Sequence, residues 1–491
     1  MHDITRREWL AAGGTGIATL ALGGTTTPGS ESSFHYDHIL GTSLDGWLNA
    51  RSDDDFAHAE QAILAEVERL RRVFSLHDPG SELSRWNRTR GPLAVSADLG
   101  NVLAHYQRFH ESTRGACSPT IASAAELWKQ AERTGEVPNA NQLAAVASTG
   151  LGFRYDPVLR IAERTGEHPL NLNSIAKGYI IQRLAEGVRE TVPSGLINLG
   201  GDMIAWGSAD WNLGIQHPST PADNAAPLAT FSLNNAAVAT SGGYLRYTTI
   251  RGERHSHLID PRTSRPATGL LSATVIASTS VEANAWATSL AVMHPEEALD
   301  TLANHPHVHA ALVTPSGAVL RTPGMPWIEP PKPQPIQAQA NAWPADYEVR
   351  IVLELPKIEA GKYRRPYVAV WIEDAAGKPV RSLETWGNAP KYLKDLNDWW
   401  KFARDDQGMR AVTRATRNPG RYELVWDGKD QKGNPLGQGT YTVKVEVHRE
   451  HGRHLRQSGK IECLAKEASV KLAKNEETGE TAVEYAKKKK P

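Results

Sequence analysis

The sequence predicts an α+β domain followed by a smaller β-sandwich. Three observations carry this. Helix-like and strand-like runs interleave up to about residue 325 without the regular alternation of a βαβ fold. A Pro-rich stretch follows at 326–344. Beyond it lie short strand-like runs at even spacing, separated by turn residues. The length of 491 residues allows two to four domains at ~100–200 residues each.

Composition narrows the class. Lys plus Arg and Asp plus Glu are 55 each, so the net charge is zero. This argues against a nucleic-acid partner held by bulk positive charge, while leaving room for a local basic pocket. Hydrophobic residues at 40% and charged residues at 22% are those of an ordinary globular chain with a sizeable core. Cys117 and Cys463 are the only cysteines, too few for a disulfide scaffold, and two buried free thiols are expected.

Taken in order, residues 1–30 come first. Arg6-Arg7 follow Thr5, Trp9-Leu10 come next, and the chain then runs uncharged and Ala/Gly/Leu-rich to Gly24. That run is too short to span a membrane and too glycine-rich for a good buried helix. It is similar to a twin-arginine export signal, which implies a mature protein in the periplasm. No other stretch is long and apolar enough to suggest a transmembrane segment.

Phe56, Ala59, Ile63, Val67, Leu70 and Phe74 recur every three or four residues and predict a helix over 55–74. Further helices are expected over Asp98–Ser112, after Pro119, over Val281–Val292 and over Pro295–Ala303. Strands are expected at Gly195–Asn198, Asn212–Ile215, Ala237–Thr240 and Ser272–Ala277. Seven prolines between Thr322 and Pro344 predict a stiff, extended linker. The sandwich is expected over 345–465, with strands at Tyr347–Leu355, Tyr367–Glu373, Tyr422–Trp426 and Tyr441–His448 and a helical insertion at 385–402. The Lys/Glu-rich segment 466–491 reads as a solvated tail.

Four clusters carry the candidate chemistry. In NLNSIAKGY, from Asn171, helix-capping residues precede an apolar run with Lys177 in its first turn. A helix N-terminus beside an ammonium suits an anion, though an ordinary solvated lysine fits as well. In NLGGD, from Asn198, paired glycines allow close approach of backbone or ligand, or simply make a hairpin. In the segment from Val238, His255 and His257 are two apart and would share a strand face; no third soft ligand lies near in sequence. In VEANAWATSL, from Val281, Asn284 and Thr288 are four apart on a helix and share a face. Oxygen ligands so spaced suit magnesium, and core-edge hydrogen bonds explain them equally.

These clusters occur in a recognisable order. LGT at 40–42, SELSRWN at 81–87, IAKGY at 175–179, NLGGD at 198–202, ATSGGYLR at 239–246, HLIDP at 257–261 and NAWATSL at 284–290 resemble the ApbE family of FAD:protein FMN transferases, over about residues 36–325. The resemblance implies an α+β fold related to the T-fold. It implies binding of FAD and a divalent metal such as Mg2+, and transfer of FMN to a Thr or Ser of a target protein with release of AMP. Residue by residue, it implies that Leu40, His77, Ala116, Cys117, Ser118, Asn171, Lys177, His257 and Leu258 line the FAD site. It implies that Lys177 and His257 serve the transfer, and that the Ser174 carbonyl, Asn284 and Thr288 hold the metal. Ser118, Asn171 and Asn284 stand where the family usually has Asp. A metal held by neutral oxygens binds more weakly, with Glu282 or the FAD pyrophosphate as compensation. The alternative reading is a non-catalytic FAD-binding protein with a degenerate metal site. A purely structural surface protein is a third. The expected acceptor is a membrane-anchored redox protein exposed to the periplasm.

The segment ATRNPGRYELVWDGKDQKGNPLGQGTYTVKVEVHREHG resembles a periplasmic domain of unknown function (DUF2271-like) often fused to this transferase. Part of it is also similar to the immunoglobulin-like module of flagellar hook-capping proteins. No catalytic constellation is visible there, and a docking role is expected.

Overall fold

A computed structural model of the chain describes residues 18–20, 31–147, 150–218, 227–243, 247–329, 343–344, 346–358, 365–387, 390–404, 413–414, 416–417, 419–449, 452–464 and 466–488. Most of the export-signal segment and residues 330–342 of the Pro-rich linker lie outside the described residues. The chain divides into two compact units, with the chain leaving the first at Trp327. Among the described residues no helix is long and apolar enough to cross a membrane.

The first unit is built on one eight-stranded sheet. Its strands are β1 (Glu31–Ile39), β2 (Thr42–Asn49), β3 (Ser194–Leu199), β4 (Asp202–Trp206), β5 (Ala237–Gly242), β6 (Ser272–Ala277), β7 (His309–Val313) and β8 (Val319–Arg321). They pair in chain order, each antiparallel to the next. Helices enter as insertions between neighbours. Between β2 and β3 come α1 (Asp53–Phe74), α2 (Ala97–Ser112) and α3 (Asn173–Val188), and between β6 and β7 comes α4 (Ser280–Ala291). This is an α+β architecture.

Helix α1 shows why these residues form these elements. Ser52 caps it by accepting the Asp55 N–H at 3.1 Å, and Asp53, Asp54 and Asp55 lie at its electropositive first turn. Its apolar stripe of Ala59, Ile63, Val67 and Leu70 is buried, each large side chain contributing about 1.5–3 kcal/mol. Those residues join the core with Leu44 and Leu48 of β2, Ile197 and Leu199 of β3, Ile180 and Leu184 of α3, and Trp286 of α4. A smaller cluster forms where helix Ala122–Thr134 meets Ile250 and Ile259.

Helices α3 and α4 cross at Gly178. A Cβ there would stand 2.4 Å from the Ser280 carbonyl oxygen and 2.8 Å from Asn284 Cβ. Only glycine permits this approach, and it brings the two candidate site helices together.

The second unit is β-rich. One sheet has the order β13–β9–β17–β16 and the other β12–β11–β10–β14–β15. Their strands are β9 (Tyr347–Leu355), β10 (Tyr367–Glu373), β11 (Pro379–Trp386), β12 (Thr413–Arg414), β13 (Gly420–Trp426), β14 (Gly439–His448), β15 (His454–Cys463), β16 (Ala468–Leu472) and β17 (Thr481–Lys487). Inward residues of both sheets, among them Val349, Ile351, Val370, Val443, Val445 and Tyr485, share one core. The expected helical insertion is a 3-10 turn, Pro390–Asp395, and a short helix, Asn397–Ala403.

Two expectations are corrected. The expected solvated tail, 466–491, carries two strands among its described residues: β17 pairs with β9 on one side and β16 on the other, and Val483 and Tyr485 are fully buried. Glu484 of β17 and Lys471 of β16 take outward positions between buried or half-buried neighbours, and the Lys/Glu count of the segment hid that alternation. His255 and His257 do not share a strand face either. The strand ends at Ser256, and His257 sits in the bend beyond it.

Candidate active site

Lys177 lies one turn into α3, whose first residues receive no side-chain cap from Leu172. Its ammonium meets the end of β3 and the start of β4: Nζ is 2.8 Å from Asp202 Oδ2 and donates to the Gly200 carbonyl at 3.4 Å. Asp202 is the hub. Its side chain accepts from Asn284 Nδ2 at 3.0 Å and from the Thr240 N–H at 3.4 Å. It is 2% exposed. Burial pushes its carboxyl up, while Lys177 and the Thr240 N–H pull it down.

Asn284 is fixed at both ends. While Nδ2 donates to Asp202, Oδ1 accepts the Gly178 N–H at 3.2 Å. A flipped amide would set NH2 against N–H and oxygen against carboxylate, so the network defines the orientation. One turn further along α4, Thr288 Oγ1 is 3.2 Å from Ser241 Oγ. Thus Lys177 from one sequence cluster and Asn284 and Thr288 from another converge where α3, α4 and β3–β5 meet.

A second group lies at the start of α3. Tyr106 OH is 2.6 Å from Ser174 Oγ and donates to the Asn171 carbonyl at 3.5 Å. Asn171 Oδ1 accepts the Asn173 N–H at 3.0 Å, and the Asn171 N–H donates to Pro119 at 2.8 Å. That last bond ties α3 to the loop holding Ala116, Cys117 and Ser118, all buried. Cys117 takes a Thr113 hydroxyl on its N–H at 2.9 Å, and burial pushes its thiol up to about 12. Ser118 Oγ is 2.9 Å from Thr120 Oγ1.

The remaining candidates are more dispersed. Leu40 occupies the β1–β2 turn with φ +49° and packs against the core. His77 is exposed beyond α1. His257 is half-buried and Leu258 buried, with the Leu258 N–H donating to Ser256 Oγ at 3.1 Å. The His255 ring lies 5.1 Å from that of Trp128. Among the described residues no group of three His, Cys, Asp or Glu side chains is placed to hold a metal. Sequence reasoning put no weight on Asp202. Its signal was the charged residue right after Gly200-Gly201, at a strand start where a buried carboxylate needs partners.

This arrangement of an eight-stranded antiparallel sheet, crossing helices and a Lys–Asp–Asn cluster can be set beside known proteins. A profile of the ApbE family matches residues 40–313. The chain belongs to the ApbE family. A second profile, a predicted periplasmic protein (DUF2271), matches residues 348–480. The FAD:protein FMN transferase of Haemophilus influenzae is 31% identical over 295 residues, covering 57% of this chain and 84% of that protein. That of Escherichia coli K12 is 28% identical over 294 residues, covering 56% and 80%. Among solved structures, the ApbE protein of Thermotoga maritima aligns with a TM-score of 0.55 at 26% identity, covering 60% of this chain and 97% of that one. The flavinyl transferase ApbE of Pseudomonas stutzeri aligns at 0.53 and 23% identity, covering 60% and 95%, and speaks for the fold alone. The family match ends short of Ile328, from which the chain runs on in the second unit.

Proposed function

We propose that this chain is a FAD:protein FMN transferase acting in the periplasm. The observation that carries the reading is the convergence of Lys177 and Asn284 on Asp202, with Thr288 one turn along α4 at Ser241, in a chain that belongs to a family whose named relatives have this activity. The acceptor's Thr or Ser oxygen bonds to the FMN phosphorus. The phosphorus–oxygen bond to AMP breaks, and AMP leaves. His257 takes the proton of the acceptor hydroxyl, work suited to imidazole near neutral pH. Lys177 lies one turn into α3, where the positive end of the helix dipole and an ammonium together favour phosphate oxygens. Asp202 holds that ammonium in place and keeps the dry site near charge balance.

The residues fit a divalent cation in part. The Ser174 carbonyl, Asn284 Oδ1 and Thr288 Oγ1 are hard oxygen donors of the kind Mg2+ takes. All three are neutral, and Asn284 Oδ1 already accepts one N–H, so the FAD pyrophosphate would supply the remaining charge. When bound, the ion neutralises charge on the pyrophosphate and the departing AMP. The second unit is a docking module in this reading, and the twin-arginine segment directs export. The acceptor is a membrane-anchored redox protein exposed to the periplasm.

One observation favours a second reading, an FAD-binding protein without transfer. Asp202, Lys177 and Asn284 satisfy one another without a cation. The deciding experiment follows AMP release from FAD with Mg2+ and an acceptor, in wild type and His257→Ala. Metal-dependent release lost in the variant supports transfer. Tight FAD binding with no release supports the second reading.

A further inference from the structure

We propose that His35, Asp45 and Asn198 are positioning residues for Lys177, acting through the Gly200–Gly201 turn. The three side chains form one rung across β1, β2 and β3. His35 is the register partner of Asp45, and Asp45 that of Asn198. His35 Nδ1 is hydrogen-bonded to Asp45 Oδ1. Asn198 Nδ2 donates to Asp45 Oδ2 at 3.2 Å, and Asn198 Oδ1 accepts the Gly201 N–H at 2.8 Å. As with Asn284, both ends of this amide have one workable orientation.

The rung ends on a turn that needs holding. Gly200 and Gly201 have φ of +58° and +93°, a two-residue link whose twist suits a hairpin. Two glycines have the widest conformational freedom of any pair. Here the Gly200 N–H donates to the Ser43 carbonyl at 2.9 Å and Asn198 holds the next N–H. Two groups that receive the Lys177 ammonium leave this turn: the Gly200 carbonyl and, two residues on, the Asp202 carboxylate. A shift of the turn therefore moves the ammonium.

The chemistry of the rung also speaks for this role. Asp45 is 5% exposed, and burying a carboxylate is costly where an apolar residue packs as well. Its place in the middle of the rung sets the direction of the Asn198 amide, and hence which atom faces Gly201. The consequence for activity rests on the reading that Lys177 meets the FAD phosphates, so the test has one readout that does not depend on it.

The probe is the rate at which the Lys177 amine in the full chain is acetylated by a trace reagent, read by mass spectrometry. It is compared with the thermal transition and with FAD binding. Asn198→Asp puts a second carboxylate 3.2 Å from Asp45 Oδ2. Lys177 labelling should rise about tenfold, the factor carried by one hydrogen bond to a charged group. The double variant Asp45→Asn/Asn198→Asp restores a carboxylate–amide pair with the roles exchanged, and labelling should return to the wild-type rate. If Asn198→Asp fails to fold, Asp45→Leu removes the Asn198 partner without adding charge and should raise labelling in the same direction. A folded Asn198→Asp or Asp45→Leu with wild-type Lys177 labelling overturns the proposal, as does a swap that folds yet fails to restore it. Raised labelling with FAD affinity falling in parallel supports both the rung and the phosphate reading. Raised labelling in a chain that binds no FAD supports the rung and removes the phosphate reading.

Discussion

Replacing Asn284 by Asp is the most informative single change. The amide nitrogen that donates to Asp202 Oδ2 at 3.0 Å becomes an oxygen, and two carboxyl groups then face each other in a dry site. Left ionised, they repel by about 5–6 kcal/mol at an effective dielectric near 20. Keeping one proton between them at pH 7 costs about 4 kcal/mol, roughly 1.4 for each of ~3 pH units above an ordinary aspartate value. Protonation is the cheaper outcome, so the pair shares a proton and titrates as a unit. The folded-state value of the pair is thereby raised above that of the unfolded chain. The penalty is absent below about pH 4, grows as pH rises, and levels off above the folded value. Denaturant unfolding of the full chain at pH 5 and pH 8 should show the variant weaker than wild type by only about 1–2 kcal/mol at pH 5. At pH 8 its first-unit transition should be weaker by several kcal/mol. Added Mg2+ should recover part of that loss in the variant, since a cation relieves the repulsion, with a smaller effect on wild type. Equal stability of the two proteins at both pH values would refute the argument that Asn284 serves chiefly to pair with Asp202.

Other changes test the packing around that site and in the second unit. Gly178→Ala should destabilise the first unit: helix propensity favours Ala by about 1 kcal/mol, but its Cβ would meet a backbone oxygen at 2.4 Å, and overpacking costs ~1–3 kcal/mol. A raised transition temperature would show that the helices separate freely. Cys117 and Cys463 are buried with thiols pushed up to about 12, so a thiol reagent at pH 8 should find neither in the folded protein and both in denaturant; prompt reaction of the folded protein would contradict this. Deleting residues 466–491 removes both β16 and β17 and strips β9 of its pairing on that side, and should abolish the second unit's cooperative unfolding by circular dichroism, whereas loss of a mere tail would leave it unchanged.

Much of this was legible in local patterns. The spacing of Ile63, Val67 and Leu70 defines α1 because its stability comes from one buried stripe. The caps that start the helices, Ser52 for α1 and Thr279 for α4, come from the structure. Motif order along the chain pointed to the family. The hub of the site was not legible, because the partners of Asp202 at 177, 240 and 284 are distant in sequence and meet only through the sheet. By spacing alone Asn284 reads either as a magnesium ligand or as a core-edge hydrogen bonder; its two bonds, to Asp202 and Gly178, need the helix crossing to be seen. In the tail, Val483 and Tyr485 alternate with outward residues, a period-2 signal outweighed by the charge count.

The chain-order arrangement of the large sheet has a consequence for how the protein folds. The β3–β4 hairpin closes over two residues and can form early. Strands β1 and β2 also pair locally, yet the register between β2 and β3 joins them across the long insertion between Asn49 and Ser194. Closing so long a loop is modest in free energy but slows the pairing. The seam between β2 and β3 is therefore expected to be the late event. Asp45 lies on one side of that seam and Asn198 on the other. Until it closes, Lys177 lacks the support on which its aim depends, so nucleotide affinity in a refolding experiment should appear after most of the helical signal has returned.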